Sequence, residues 1–206
     1  MRKLLLFDFD GVITNTLDMI LGIQKELNQE ITKEDYIALY YGNIFKNIEK
    51  SQNKKYTKQD QNRFFNLYSP RLLDLPPIEG ITRLISDLQE EYALVIISST
   101  INEPIKEYLR KHEILHCFKD IFGADVHKSK VEKIEMALEK YGRKPQDSIY
   151  ITDTLGDIKE ARKVGVDSVA VTWGFHDQSV LLDGKPRYIA NSVNNLKECI
   201  DEFSHN

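Results

Sequence analysis

Two aspartates, Asp8 and Asp10, close the apolar run Leu4-Leu5-Leu6-Phe7, and Gly11 follows at once. A short apolar run ended by a turn signal reads as a buried parallel strand. Asp8 and Asp10 would then stand at its carboxyl end, the edge where open α/β sheets bind ligands. The two-residue side-chain period directs both carboxylates to one side, where like charges repel unless a cation or a phosphate-bearing substrate holds them. That pairing suits a metal site, although an Asp-x-Asp-Gly taken alone fits a simple turn as well.

Other candidates stand at corresponding places along the chain. Ser98, with Ser99 and Thr100 behind it, follows the apolar strand 93–97, and Asp153-Thr154-Leu155-Gly156-Asp157 follows a strand over 148–152. Lys128 and Lys130 flank Ser129 ahead of a helix over 130–141 that ends at Gly142. Helical periodicity also places helices after Gly80, after an Asn102 cap with Pro104 inside the first turn, over 157–164 and over 193–203. Residues 118–122 form a weaker strand candidate, and 169–172 a further short strand. Strands alternating with helices mean a parallel sheet covered on both faces.

Residues 15–79 break the rhythm. They show helical spacing and no convincing strand, and they return through Leu75-Pro76-Pro77, whose proline pair stiffens a linker. We read this stretch as a cap over the catalytic edge. Within it, Lys46, Lys50, Lys54, Lys55, Lys58 and Arg63 against Glu49 and Asp60 give a local charge of +4, so the remainder carries -8. A solvated helix face or attraction of anionic substrates would each account for it.

A net charge of -4 argues neither for a nucleic-acid binder nor for attachment to an anionic membrane. Cys117 and Cys199 are too few and too far apart for a disulfide framework or a Cys-x-x-Cys site. His112, His116, His127, His176 and His205 lack metal-ligand spacing. Asp8 cuts the N-terminal apolar run far short of a signal or membrane-spanning segment, so a cytoplasmic location is the expectation.

The four groups, in this order on these elements, resemble the haloacid dehalogenase superfamily. The stretch 15–79 looks like the small helical cap of its phosphoglycolate phosphatase and beta-phosphoglucomutase branch. The resemblance implies a Rossmann-like α/β core over 1–14 and 80–206, a parallel sheet flanked by helices, with an all-helical cap domain over 15–79. It implies a Mg2+-dependent, phosphoglycolate phosphatase-like hydrolase of a small phosphorylated metabolite. Asp8 would be the nucleophile forming an aspartyl-phosphate, and Asp10 the general acid and base. Ser98 and Ser99 would bind the phosphate together with Lys128, the register from Ala137 and Gly142 favouring Lys128 over Lys130. The metal would lie between Asp8, Asp153 and the backbone carbonyl of Asp10, with Asp157 orienting its water or the lysine.

Two departures from the family pattern are Asn15, where an Asp is common, and Thr152, where a Gly is common. A phosphomutase would use the same residues and re-donate the phosphoryl group, and a non-enzymatic phosphoacceptor module would accumulate phosphoprotein. A dehalogenase is disfavoured because it has no use for the acid at Asp10. Tyr40-Tyr41-Gly42-Asn43 are candidates for specificity. Oligomeric state is not legible.

Overall fold

The computed structural model describes residues 2–27, 31–51 and 57–205. The strands are β1 (Leu4–Phe7), β2 (Ala93–Ile97), β3 (Phe118–Phe122), β4 (Ser148–Thr152), β5 (Asp167–Val171) and β6 (Tyr188–Ala190). All six pair in parallel in the order β3-β2-β1-β4-β5-β6. The order reverses between β1 and β4, and outside the carboxyl ends of those two strands a crevice opens. Asp8 and Asp153 are the residues immediately beyond them.

Ten α-helices lie among the described residues. Four of them, α1 (Leu17–Glu26), α2 (Lys33–Ala38), α3 (Ile44–Ser51) and α4 (Lys58–Leu72), lie between β1 and β2. The others are α5 (Ile81–Leu88), α6 (Asn102–Lys111), α7 (Lys130–Tyr141), α8 (Leu155–Lys163), α9 (Gln178–Leu182) and α10 (Val193–His205). Both sheet faces are dry. Leu4, Leu6, Val95, Ile97 and Tyr150 cluster with Ile134, Ala137, Leu138 and Ala161 of α7 and α8. On the other face Leu5, Phe7, Leu94, Ile96 and Ile151 join Ile85, Ile105, Leu109, Leu196 and Ile200. Burying a Leu or Ile side chain fully contributes roughly 1.5–3 kcal/mol, which is why an uninterrupted apolar run is stable only in this doubly covered position.

The insertion contains no strand among its described residues. Its longest helices, α1 and α4, pack together through Leu17, Ile20 and Ile23 on one and Phe65, Tyr68 and Leu72 on the other. Thr57 starts α4 with a reciprocal cap, its hydroxyl accepting from the Asp60 amide while the Asp60 carboxylate accepts from the Thr57 amide. The two connections to the sheet are laced to each other. The Ile78 amide donates to the Ile13 carbonyl at 2.8 Å, and the Thr14 hydroxyl to the Pro76 carbonyl at 3.0 Å.

Several boundaries differ from the sequence reading. Periodicity has no grip on β6 or α9, which are three and five residues long. Asn102 does not cap α6 but begins it, and its carboxamide oxygen instead accepts from the Gly123 amide at 2.8 Å, tying the helix to the end of β3. β5 begins two residues early, at Asp167, and α8 begins two residues early, at Leu155, because the Thr154 hydroxyl caps it by accepting from the Asp157 amide. Lys54 and Lys55 of the basic run lie outside the described residues.

Candidate active site

Alternation along β1 sends Leu4, Leu6 and then Asp8 toward the α7/α8 side of the sheet, so Asp8 meets what those helices present at their first turns. Ser129 caps α7, its hydroxyl accepting from the Glu132 amide, and this sets Lys130 as the first helical residue. The buried Lys130 ammonium donates to Asp8 Oδ2 at 2.6 Å, to Asp157 Oδ2 at 2.5 Å and to the Tyr150 hydroxyl at 2.9 Å. Lys128, the expected motif lysine, is exposed, with its ammonium 5.4 Å from the Phe45 ring centre. The bridge to Asp8 is therefore made by Lys130, because the Ser129 cap turns the chain so that only the residue after it points at the strand end.

The electrostatics follow from burial. Asp157 takes Lys130 and the Thr152 hydroxyl, at 2.9 Å, on one oxygen, and the ammonium holds its carboxyl below the usual range against the opposing effect of burial. Burial pushes Asp8 well up, with Lys130 pulling against it. Burial likewise raises Asp153, to about 7, although the Phe175 amide donates to its Oδ2 at 2.7 Å. The second oxygen, Asp153 Oδ1, is buried with no hydrogen-bond partner. Gly11 at φ +75° runs so close to this carboxylate that a Cβ there would lie 1.9 Å from Asp153 Oδ2.

Asp10 reaches the crevice by a different route from the one expected. The strand stops at Phe7, and a turn carries Asp10 over, the Gly11 amide donating to the Thr14 carbonyl at 2.8 Å. The two carboxylates converge through this turn, not through strand alternation. Three hydroxyls hold Asp10: Thr16 at 2.8 Å and Tyr68 at 2.5 Å on Oδ1, and Thr100 at 2.8 Å on Oδ2. Tyr68 comes from α4 of the insertion. Burial and the neighbouring Asp10 push its phenol well above the usual range, so it donates.

Ser98 and Ser99 part company. The Ser98 side chain is fully buried, and its hydroxyl accepts from the Thr100 amide at 3.0 Å, which places it beneath the crevice. Ser99 and Thr100 line the crevice, with Asp8, Asp10, Lys130 and Asp153. Below this loop lies Lys133, a fully buried lysine whose ammonium donates to the Ser98 carbonyl. Burial and the adjacent Lys130 lower it to about 7.

Lys133, Tyr150, Tyr68 and Thr16 are the site residues that sequence reasoning missed. Lys133 carried a readable signal, since it stands on the same α7 stripe as Ile134, Ala137 and Leu138, where a lysine is out of pattern. Of the four candidate specificity residues, Tyr40 alone lines the crevice. Asn43 instead docks the insertion on the core, donating to the Lys128 carbonyl at 3.1 Å and to Glu160 at 3.3 Å. The Tyr41 ring lies 5.0 Å from the ring of His176, whose Nδ1 accepts from the Leu155 amide at 2.9 Å.

Among the described residues no three carboxylate, imidazole or thiolate side chains converge on a point. A cation here would draw on two carboxylates, Asp8 and Asp153, plus backbone, water or phosphate oxygens. That oxygen-only, incomplete set suits Mg2+, and the partnerless Asp153 Oδ1 fits it.

A model of the family described as haloacid dehalogenase-like hydrolase matches residues 5–171. The chain is 24% identical over 209 residues to a phosphoglycolate phosphatase of Synechococcus elongatus, covering 97% of each. It is 25% identical over 204 residues to the pyrophosphatase PpaX of Listeria welshimeri, covering 93% of each. The solved structure of a beta-phosphoglucomutase from Clostridium difficile has a TM-score of 0.77 at 22% identity, with 98% of this chain and 97% of that one covered.

Proposed function

Because this chain belongs to the haloacid dehalogenase-like hydrolases, we propose that it is a Mg2+-dependent phosphatase of a small phosphorylated metabolite in the cytoplasm, working through an aspartyl-phosphate on Asp8. One observation carries the reading: Asp8 stands at the crevice floor with a buried ammonium 2.6 Å from one oxygen. A carboxylate so placed is oriented for attack and electrostatically matched to an incoming phosphoryl group.

In the first step an Asp8 oxygen bonds to phosphorus and the phosphorus–alcohol oxygen bond breaks. Asp10 gives its proton to the departing oxygen. In the second step Asp10 takes a proton from a water molecule, whose oxygen attacks phosphorus and releases Asp8 and inorganic phosphate. Lys130 neutralises charge on Asp8 and on the transferring group, and Asp157 and Tyr150 fix its ammonium in place. The hydroxyls of Ser99 and Thr100 border the space for phosphate oxygens. Asp8 and Asp153, with the Asp10 carbonyl, would hold Mg2+, which supplies further positive charge for the phosphoryl group. The linked connections at 12–15 and 75–80 form the hinge of a cap domain over 15–79 in this reading.

Phosphate release from a panel of phosphomonoesters with Mg2+, comparing wild type with Asp8→Asn, tests the proposal. The amide cannot attack phosphorus, so turnover should vanish. Activity within about tenfold of wild type, a barrier change of only about 1.4 kcal/mol, would rule Asp8 out as nucleophile.

A further inference from the structure

The crevice is larger and more apolar than its phosphate end requires. It encloses about 790 Å3, within the range of sites that bury a drug-sized ligand. Away from Asp8 its walls come from the insertion, through Ile20, Leu39, Ile44, Phe45, Ile48 and Phe64. Charges on the insertion's share of the described lining are two acids, the exposed Asp35 and the half-buried Asp60, and one base, the exposed Arg63. A leaving group ending in a carboxylate or a second phosphate would be desolvated against an apolar wall whose described residues offer it no buried cation. A two-carbon acid would also leave most of the volume unfilled. Gln24 contributes one polar feature, an amide oxygen buried on this wall with no hydrogen-bond partner. It can accept a hydrogen bond from a donor on the leaving group.

Resting on the phosphatase reading above, we propose that the preferred substrates are phosphomonoesters of an uncharged, predominantly apolar alcohol, aryl or alkyl. The alcohol's body fills the space between the insertion helices, with room for one hydroxyl or N–H directed at Gln24. The anionic leaving groups implied by the names of the two relatives, a carboxylated alcohol and a second phosphate, are then poor ones for this chain.

The test is kcat/KM with Mg2+ for 2-phenylethyl phosphate, a straight alkyl series from ethyl to hexyl phosphate, phosphoglycolate and pyrophosphate. The alkyl series should rise about fourfold per buried methylene, and 2-phenylethyl phosphate should exceed phosphoglycolate by at least ~100-fold. Ile44→Arg, which sets a cation on the wall away from the reacting atoms, should lower 2-phenylethyl phosphate and raise phosphoglycolate. A flat alkyl series, or phosphoglycolate or pyrophosphate ranking first, would overturn the inference and leave the phosphatase reading standing. If no ester releases phosphate, the phosphatase reading itself fails. Calorimetric binding of the intact esters to Asp8→Asn then decides the selectivity separately, tighter binding of 2-phenylethyl phosphate than of phosphoglycolate supporting it and the reverse order ending it.

Discussion

Lys130→Met against Lys128→Ala is the sharpest test of how this site is built. Lys130 donates to Asp8 at 2.6 Å and Asp157 at 2.5 Å, and all three side chains are buried. At an effective dielectric constant near 20, each contact carries a Coulomb energy of about 6 kcal/mol before desolvation is subtracted. Methionine fills the same space but leaves two carboxylates facing each other, one of which must take up a proton. Removing one partner of a buried ion pair costs about 3–5 kcal/mol of stability, and removing a preorganised cation aimed at developing charge costs about 10²–10³ in kcat. Lys128→Ala removes an exposed ammonium that stands 5.4 Å from the Phe45 ring centre, a contact worth about 1 kcal/mol at an exposed site, and should keep activity within about fivefold. Urea midpoints and phosphate release on the same preparations measure both effects. Because Lys130→Met risks unfolding, Lys130→Arg serves beside it: it keeps the charge, so it should fold, and the bulkier fork should still depress kcat. Equal activity in the Lys128 and Lys130 variants, or the reverse ranking, would refute the reasoning.

Activity should need Mg2+ and fall when Ca2+ replaces it, since Ca2+ prefers more ligands and longer bonds; full activity after EDTA treatment would contradict the assignment of Asp8 and Asp153. Lys133→Met should flatten stability against pH. With a folded value near 7 and an unfolded value of 10.5, Lys133 has lost its proton in the folded chain while the unfolded chain still holds one, so wild-type stability rises with pH across that window. From pH 7 to 9 wild type should gain about 2 kcal/mol on the variant in urea unfolding, and parallel curves would mean the lysine titrates normally. Tyr40→Ala should reorder phosphomonoester preferences, whereas Asn43→Ala, which loosens docking on Glu160 and the Lys128 carbonyl, should change all substrates in proportion. Assays across one ester panel separate the two behaviours.

The centre of the sheet was legible because β1, β2 and β4 are buried on both faces. Nothing but a continuous apolar run suits that position, and Asp8, Ser98 and Asp153 mark where each run ends. Alternation of strand and helix then pointed to the architecture, and the lack of strand patterning after Asn15 to the helices α1–α4 that lie between β1 and β2. Legibility failed where one residue of register decides. Lys128 and Lys130 are chemically identical and two apart, and only the hydroxyl cap at Ser129 settles which of them faces the strand. It failed again where polar groups hide in apolar elements. Tyr150 reads as an ordinary strand residue until its hydroxyl is seen to meet Lys130 and the Ile97 carbonyl. Ser98 and Ser99 could not be separated without knowing which hydroxyl the Thr100 amide would claim.

The insertion also rests on the core at a seam without side chains. A Cβ at Gly156 would lie 2.5 Å from the Gly42 carbonyl oxygen and 2.6 Å from that of Tyr40, so the start of α8 meets the turn after α2 backbone to backbone. Carbonyl oxygens are the same whatever residue bears them. At this point the fit is therefore indifferent to the identities at 40 and 42, provided 156 has no side chain, and the wall of the crevice can be rewritten while the joint is inherited unchanged. A scaffold of this kind lets substrate preference drift by substitution in the helices alone, with the reacting carboxylates and their lysine left in register beneath.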